Sequence, residues 1–238
     1  MMSATISASD WLGFIEREYL ADFIGAGGAS IKFAVPLDER DRESCMSELA
    51  AHARDLGYVV CTVSANDTRV HMIDQLYFRI AEQIPWTDLC ESILARFARE
   101  AGYPHPALLG EAGFDERLAQ ANGVDTSVVS MELRNLVAQK ILKRHWLLRD
   151  FRVAVTQLCL AHQSGGPQGD SVRLDVEGWL TGTNQSISSV KLYAIHNKIT
   201  RANARLMLES LMQWVRYAER PGVVIVLDAA RLSAARRS

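Results

Sequence analysis

The chain reads as an α/β protein, a small parallel β-sheet interrupted by a large all-helical insertion. Three observations carry this. Two apolar runs of strand length flank a helix near the start, a third run, GVVIVLD, stands near the end, and nearly everything between has helical periodicity. Strand, helix and strand within about 35 residues form a βαβ unit. The sheet expected from three such runs is incomplete, and it divides the chain into residues 1–69 (an N-terminal helix and the first βαβ), 70–218 (the helical insertion) and 219–238 (the Asp-ending strand and a basic tail).

Taken in order, Ser9 or Asp10 is placed to cap a first helix, Trp11 to Ile24, with Trp11, Phe14, Ile15, Tyr19 and Phe23 at helical spacing. Gly25, Gly27 and Gly28 end it. Ser30–Val35, SIKFAV, reads as the first strand, and Pro36 closes it by removing a backbone donor. A helix follows from about Arg40 to Leu56, its apolar face made by Met46, Leu49, Ala50, Ala53 and Leu56, with Gly57 after it. Tyr58–Ser64, YVVCTVS, has the continuous apolar character of a buried parallel strand. Helical segments are then expected at 71–84, 86–101, 115–121, 126–148, 150–162, 174–180 and 200–218. They are broken at Pro85, Gly102–Pro106, Asn122–Gly123 and Ser164–Gly169, and the last of these, SGGPQG, predicts a mobile loop. Within the insertion Trp86, Phe97, Leu133, Val137, Ile141, Leu158, Leu206 and Trp214 fall on apolar faces and are expected in its core. Gly222–Asp228 holds five consecutive apolar residues, four of them β-branched, and ends in aspartate. This strand is expected to lie parallel to, and beside, the first. The tail AARLSAARRS is basic and has no evident packing partner.

Composition narrows the function classes. Of 238 residues, 48% are hydrophobic, enough for a sizeable core, and 26 basic against 28 acidic residues leave a net charge of −2. That balance gives no overall drive toward nucleic acid or a membrane surface. Cys45, Cys61, Cys90 and Cys159 form no C-x-x-C pair and lie in apolar contexts, which fits free thiols in a reducing cytoplasm. No apolar run reaches membrane-spanning length, and MMSATISASDWLG lacks the basic and apolar regions of a signal peptide. His71, His105, His145, His162 and His196 show no metal-ligand spacing, and no nucleophile elbow is present.

Chemistry concentrates at two places. An apolar strand ending in aspartate is the arrangement by which P-loop NTPases hold magnesium, and Asp228 is the carboxylate that fits it. The partner feature, a glycine-rich phosphate loop, would fall between the first strand and its helix. That turn contains no glycine but Pro36, Leu37, Asp38, Glu39, Arg40, Asp41 and Arg42. A phosphate cradle needs inward-turned backbone N–H groups and close approach, which glycine permits. Three carboxylates here work against it: one like-charge contact at about 4 Å costs on the order of 4 kcal/mol near a protein surface before screening.

Three segments, FIEREYLADFIGAGGASIKFAV, NDTRVHMIDQLYFRIAEQI and TRANARLMLESLMQWVRYAERPGVVIVLDAARL, occur here in this order. Together they resemble the ATP-binding P-loop proteins of bacterial BREX-type phage-defence systems, across most of the chain. The resemblance implies a P-loop NTPase-like core of the RecA/AAA-like kind, ATP with Mg2+ as cofactors, and a place among the proteins of a defence complex acting on DNA, with a homo-oligomer left open. By position, Arg42 and Glu43 stand where the phosphate-loop Lys and Ser/Thr belong, Arg40 and Arg42 are the cations left to meet phosphate, and Asp228 is the metal ligand. Ala229 follows Asp228 where such ATPases carry a glutamate that orients water. The site therefore reads as degenerate.

The second place is a basic cluster of Lys140, Lys143, Arg144, His145, Arg149 and Arg152, of which Lys140, Lys143, Arg144 and Arg149 are the candidates for contact with DNA phosphates. A solvated basic helix end accounts for the same residues. Three readings follow. The chain is a degenerate P-loop subunit that scaffolds or regulates a defence complex, an ATPase whose site a partner completes, or a helical DNA-binding adaptor.

Overall fold

The computed structural model describes residues 5–184 and 186–229. The basic tail from residue 230 onward lies outside the described residues. The chain divides into two compact units, one of residues up to Asp67 together with those from Arg220, the other Thr68–Glu219.

The first unit begins with α1, Ala8–Ile15, which continues through a π-helical turn at Glu16–Leu20. Its cap is Ser7, whose hydroxyl accepts the Asp10 N–H, so Ser9 and Asp10 lie inside the helix rather than at its start. α2 spans Glu39–Asp55 and is capped by the Asp38 carboxylate. β1, Val59–Ser64, and β2, Val223–Asp228, form a two-stranded parallel sheet in which Val59 lies opposite Val223 and Ser64 opposite Asp228. Ile15, Leu20, Ala53 and Tyr58 form the buried centre of this unit, with Trp11, Ile24, Leu49, Val60 and Val224 packed around it. The Tyr58 hydroxyl fixes the turn after α1 by donating to the Leu20 carbonyl at 2.5 Å.

Ser30–Val35 is not a strand. The segment forms no regular element and pairs with neither strand, and Ile31, Phe33 and Val35 are 81%, 90% and 91% exposed. Strand propensity reflects packing against neighbours more than any backbone preference, and among the described residues no strand lies beside this segment. β2 accordingly lies beside β1 and not beside Ser30–Val35.

Helices are the only regular elements of the second unit among its described residues. It contains α3 (Ile73–Ala81), α4 (Trp86–Ala101), α5 (Phe114–Asn122), α6 (Thr126–Lys140), α7 (Arg149–Ser164), α8 (Gly166–Thr181), the short α9 (Ile187–Lys191) and α10 (Ala204–Tyr217). Phe97, Leu118, Val129, Leu133, Val137, Ile141, Phe151, Met207, Leu211 and Trp214 are inaccessible to solvent, and Trp86 and Leu158 are buried. Leu206, expected with them, is 48% exposed: it lies one position before the inward-facing Met207 on α10 and so points elsewhere. No helix among the described residues is long and apolar enough to cross a membrane.

Two sequence expectations fail in this unit for identifiable reasons. Residues 141–148 are not helical, because α6 stops at Lys140 and a new helix starts at Arg149. SGGPQG is not a loop but the tight junction of α7 and α8. Gly165 adopts φ 61°, and a Cβ there would sit 2.7 Å from the Gly113 backbone. A Cβ on Gly169 would meet the Ala161 carbonyl oxygen at 2.6 Å, so this glycine lets α8 lie directly on α7. The Pro in the first turn of α8 suits that position, where no N–H is needed.

Leu133→Ala, at a fully buried site, is expected to destabilise the protein by roughly 2–5 kcal/mol in chemical denaturation. Leu206→Ala, on the same class of residue at a half-exposed site, should stay within about 0.5 kcal/mol of the parent. Equal losses at both positions would contradict this placement of the core.

Candidate functional site

The site nominated by sequence is formed within the first unit, where α2 begins and β2 ends. The Asp38 carboxylate accepts the Asp41 N–H at 2.8 Å. The exposed N–H groups of a helix start attract anions, and this start is served by a carboxylate of its own. One turn on, the Arg42 guanidinium is bonded both to Glu39 and to Asp228. The Arg42 and Asp228 side chains are 17% and 16% exposed, so this is a partly desolvated, charge-assisted contact. The hydrogen bond to Glu39, and after it the bond to and charge of Asp228, raise the Arg42 pKa against the opposing effect of burial. Arg40 is exposed and forms no ion pair among the described residues. Thus Arg42 and Asp228 come together, and Arg40 does not join them.

These residues do not fit a magnesium–nucleotide site. The Asp228 carboxylate is engaged by a guanidinium, and the helix start is capped by Asp38. Among the described residues no group of three or more His, Cys, Asp or Glu side chains is arranged to hold a metal ion.

The basic cluster lies in the second unit and is largely committed to internal contacts. Lys140 pairs with Glu100. Arg144 donates from Nε to the Lys140 carbonyl at 3.0 Å and lies over the Tyr217 ring, 5.1 Å from its centroid. Arg149 binds Asp150 at 2.7 Å. Lys143 is exposed and without an ion pair among the described residues. His145, Trp146, Arg149 and Arg152 line a cleft of about 360 Å³ together with Leu206 and Glu209. The Arg152 Nε is buried and has no acceptor among the described residues, and Trp146 is 45% exposed.

Asp150, in the first turn of α7, ties that helix to the segment around residue 196. Its carboxylate is buried and accepts the N–H groups of His196 at 3.2 Å and Asn197 at 2.8 Å, as well as the Asn197 side-chain amide at 2.8 Å. Burial pushes its pKa up, but these donors outweigh it and hold the carboxyl below its ordinary range.

A second polar constellation escaped the sequence reading. Glu91 on α4 receives Arg117 of α5 through both terminal nitrogens, at 3.1 and 2.7 Å, and His162 of α7 through Nε2. Arg117 also donates to the carbonyls of Ala112 at 3.0 Å and Leu108 at 2.7 Å. Burial alone would raise the Glu91 pKa, but the hydrogen bonds from His162 and Arg117 bring it down to about 2. The three residues are far apart in sequence, and each sits on a helix of ordinary pattern. The only signal was the buried face on which Arg117 falls. Every partner belongs to this cluster or to the backbone beside it, so it ties three helices together.

No family model, curated protein or solved structure matches the chain.

The Glu91 carboxyl has an ordinary value of 4.5 and a folded value of about 2, so the folded state holds fewer protons between them. Its contribution is therefore present above pH 4.5 and lost as pH falls through about 2. Glu91→Gln should flatten the loss of stability across that window, measured by denaturant unfolding at several pH values. At neutral pH the same change should cost roughly 1–3 kcal/mol, because Arg117 keeps its buried position but loses its carboxylate. A variant whose acid profile overlays the parent's would remove Glu91 from this role.

Proposed function

We propose that the chain is a degenerate ATP-binding P-loop-like subunit of a bacterial anti-phage complex of the BREX kind, with a scaffolding or regulatory role and no ATP hydrolysis of its own. The observation that supports this most directly is the contact between Arg42 and Asp228. In an active site of this class the strand-end carboxylate faces a metal ion and phosphate oxygens. Here the compensating positive charge comes from the protein itself, from the position where the phosphate-binding lysine belongs. The pairing of β1 with β2 places Asp228 at the carboxyl end of a parallel sheet, the edge at which nucleotide sites of open α/β sheets occur. The place in a defence complex rests on the resemblance of the three segments named above.

Titration calorimetry with ATP and Mg2+ should give no saturable binding at micromolar concentrations, and a phosphate-release assay should stay at background. Micromolar affinity, with turnover lost in Asp228→Ala, would overturn the reading and make the protein an ATPase.

The cleft beside Trp146 favours a second reading, a DNA-binding adaptor. An exposed indole and the cations Arg149 and Arg152 in one concavity suit a stacked base and its phosphates. On this reading an oligonucleotide binds with an affinity that falls steeply with salt, and Lys143→Glu with Arg149→Glu weakens it and shallows the salt slope. Fluorescence anisotropy that shows no binding at low ionic strength would dispose of it.

A further inference from the structure

Ile31, Phe33, Val35 and Leu37 are between 78% and 91% exposed, and they alternate along a segment that is neither helix nor strand. In strand conformation, period-two alternation would put the first three on one side of the backbone and Ser30, Lys32 and Ala34 on the other, the pattern of a strand with one face to bury. Among the described residues, none of the backbone hydrogen bonds involves residues 29–37. The segment thus has the side chains and the free backbone of a strand but no sheet to join.

The same unit carries the complementary defect. Among the described residues, β2 pairs with β1 along one edge and with no strand along the other. The register puts Cys61 and Val63 of β1 on the same face as Ile225 and Leu227 of β2. The β1 pair is fully buried, whereas Ile225 and Leu227 are 39% and 47% exposed. A further strand along β2 would lie about 4.8 Å away, and apolar residues on its matching face would cover these two side chains.

We propose that Ser30–Val35 is a donor strand that adds to the outer edge of β2 in a second copy of this chain, each copy giving and receiving one strand. Two features favour a second copy over other occupants. Donor and acceptor sit on the same chain, so a two-fold arrangement satisfies both at once and closes. A foreign strand would cover β2 and leave the donor bare. Seating on the chain's own sheet is opposed by Lys32, whose Nζ bonds the Tyr19 hydroxyl at 2.5 Å and lies 3.8 Å from the centre of its ring. That contact ties the segment to the N-terminal helical turn. Lys32 also puts a charge on an otherwise apolar edge, a feature that limits open-ended strand stacking.

Sedimentation equilibrium of the full chain, combined with amide hydrogen exchange, tests this. The parent chain should dimerise at micromolar concentrations, with amides 31–35 protected in the dimer. Phe33→Lys changes a side chain that is 90% exposed and so should leave the fold and its circular dichroism unchanged. It should weaken dimerisation by about 30-fold or more. Val35→Pro, which removes a ladder donor, should act in the same direction. A parent chain that stays monomeric with these amides unprotected would overturn the proposal. So would a monomer in which they are protected, which would place the strand on its own sheet, or a dimer that both substitutions leave intact.

Discussion

The contact between Arg42 and Asp228 joins residues 186 positions apart and meets two demands at once. It fastens the first turn of α2 to the carboxyl end of β2, and it neutralises a carboxylate that the sheet has partly withdrawn from water. A partly buried charge is tolerated only when it is paired and hydrogen-bonded. Glu39 takes the other side of the same guanidinium, so Arg42 is shared between a carboxylate one turn back and one at the far end of the chain. The parallel pairing of β1 and β2 depends on the same long-range closure. Closure entropy grows only slowly with loop length, and the residues between belong to a unit with its own core.

Much of this was legible in the sequence. α4 begins and ends where Pro85 and Gly102 put it, and α2 and β2 fall within a residue or two of their expected bounds. Such elements are defined by local chemistry, namely a cap, a breaker and a sustained apolar period. Ser30–Val35 was not legible as it stands, because an apolar segment of strand length states a capacity to pair and says nothing of whether a partner is within reach.

SGGPQG misled for a different reason. Glycine and proline mark flexible chain in most contexts, but here Gly165 and Gly169 serve the close approach of two helices. The polar cluster of Glu91, Arg117 and His162 was invisible because its three members come from separate helices and are related only by packing. In the candidate site, the sequence nominated Arg40, Arg42 and Asp228, of which only Arg42 and Asp228 meet. It did not show that these two would satisfy each other.

That mutual satisfaction bears on how a nucleotide would fare. A triphosphate with its metal would have to take Asp228 from a guanidinium on the same chain, and a tethered competitor acts at an effective concentration of about the millimolar range or higher. The released Arg42 would gain phosphate oxygens in exchange, but Asp38 would still cap the helix start, and its carboxylate would face the same anion. Every favourable step is therefore coupled to the loss of an internal contact of similar kind. On the proposed reading, a sheet edge built in this way would resist a nucleotide, while the join between helix and strand is kept. Those properties suit a part that holds a shape for others better than one that turns over.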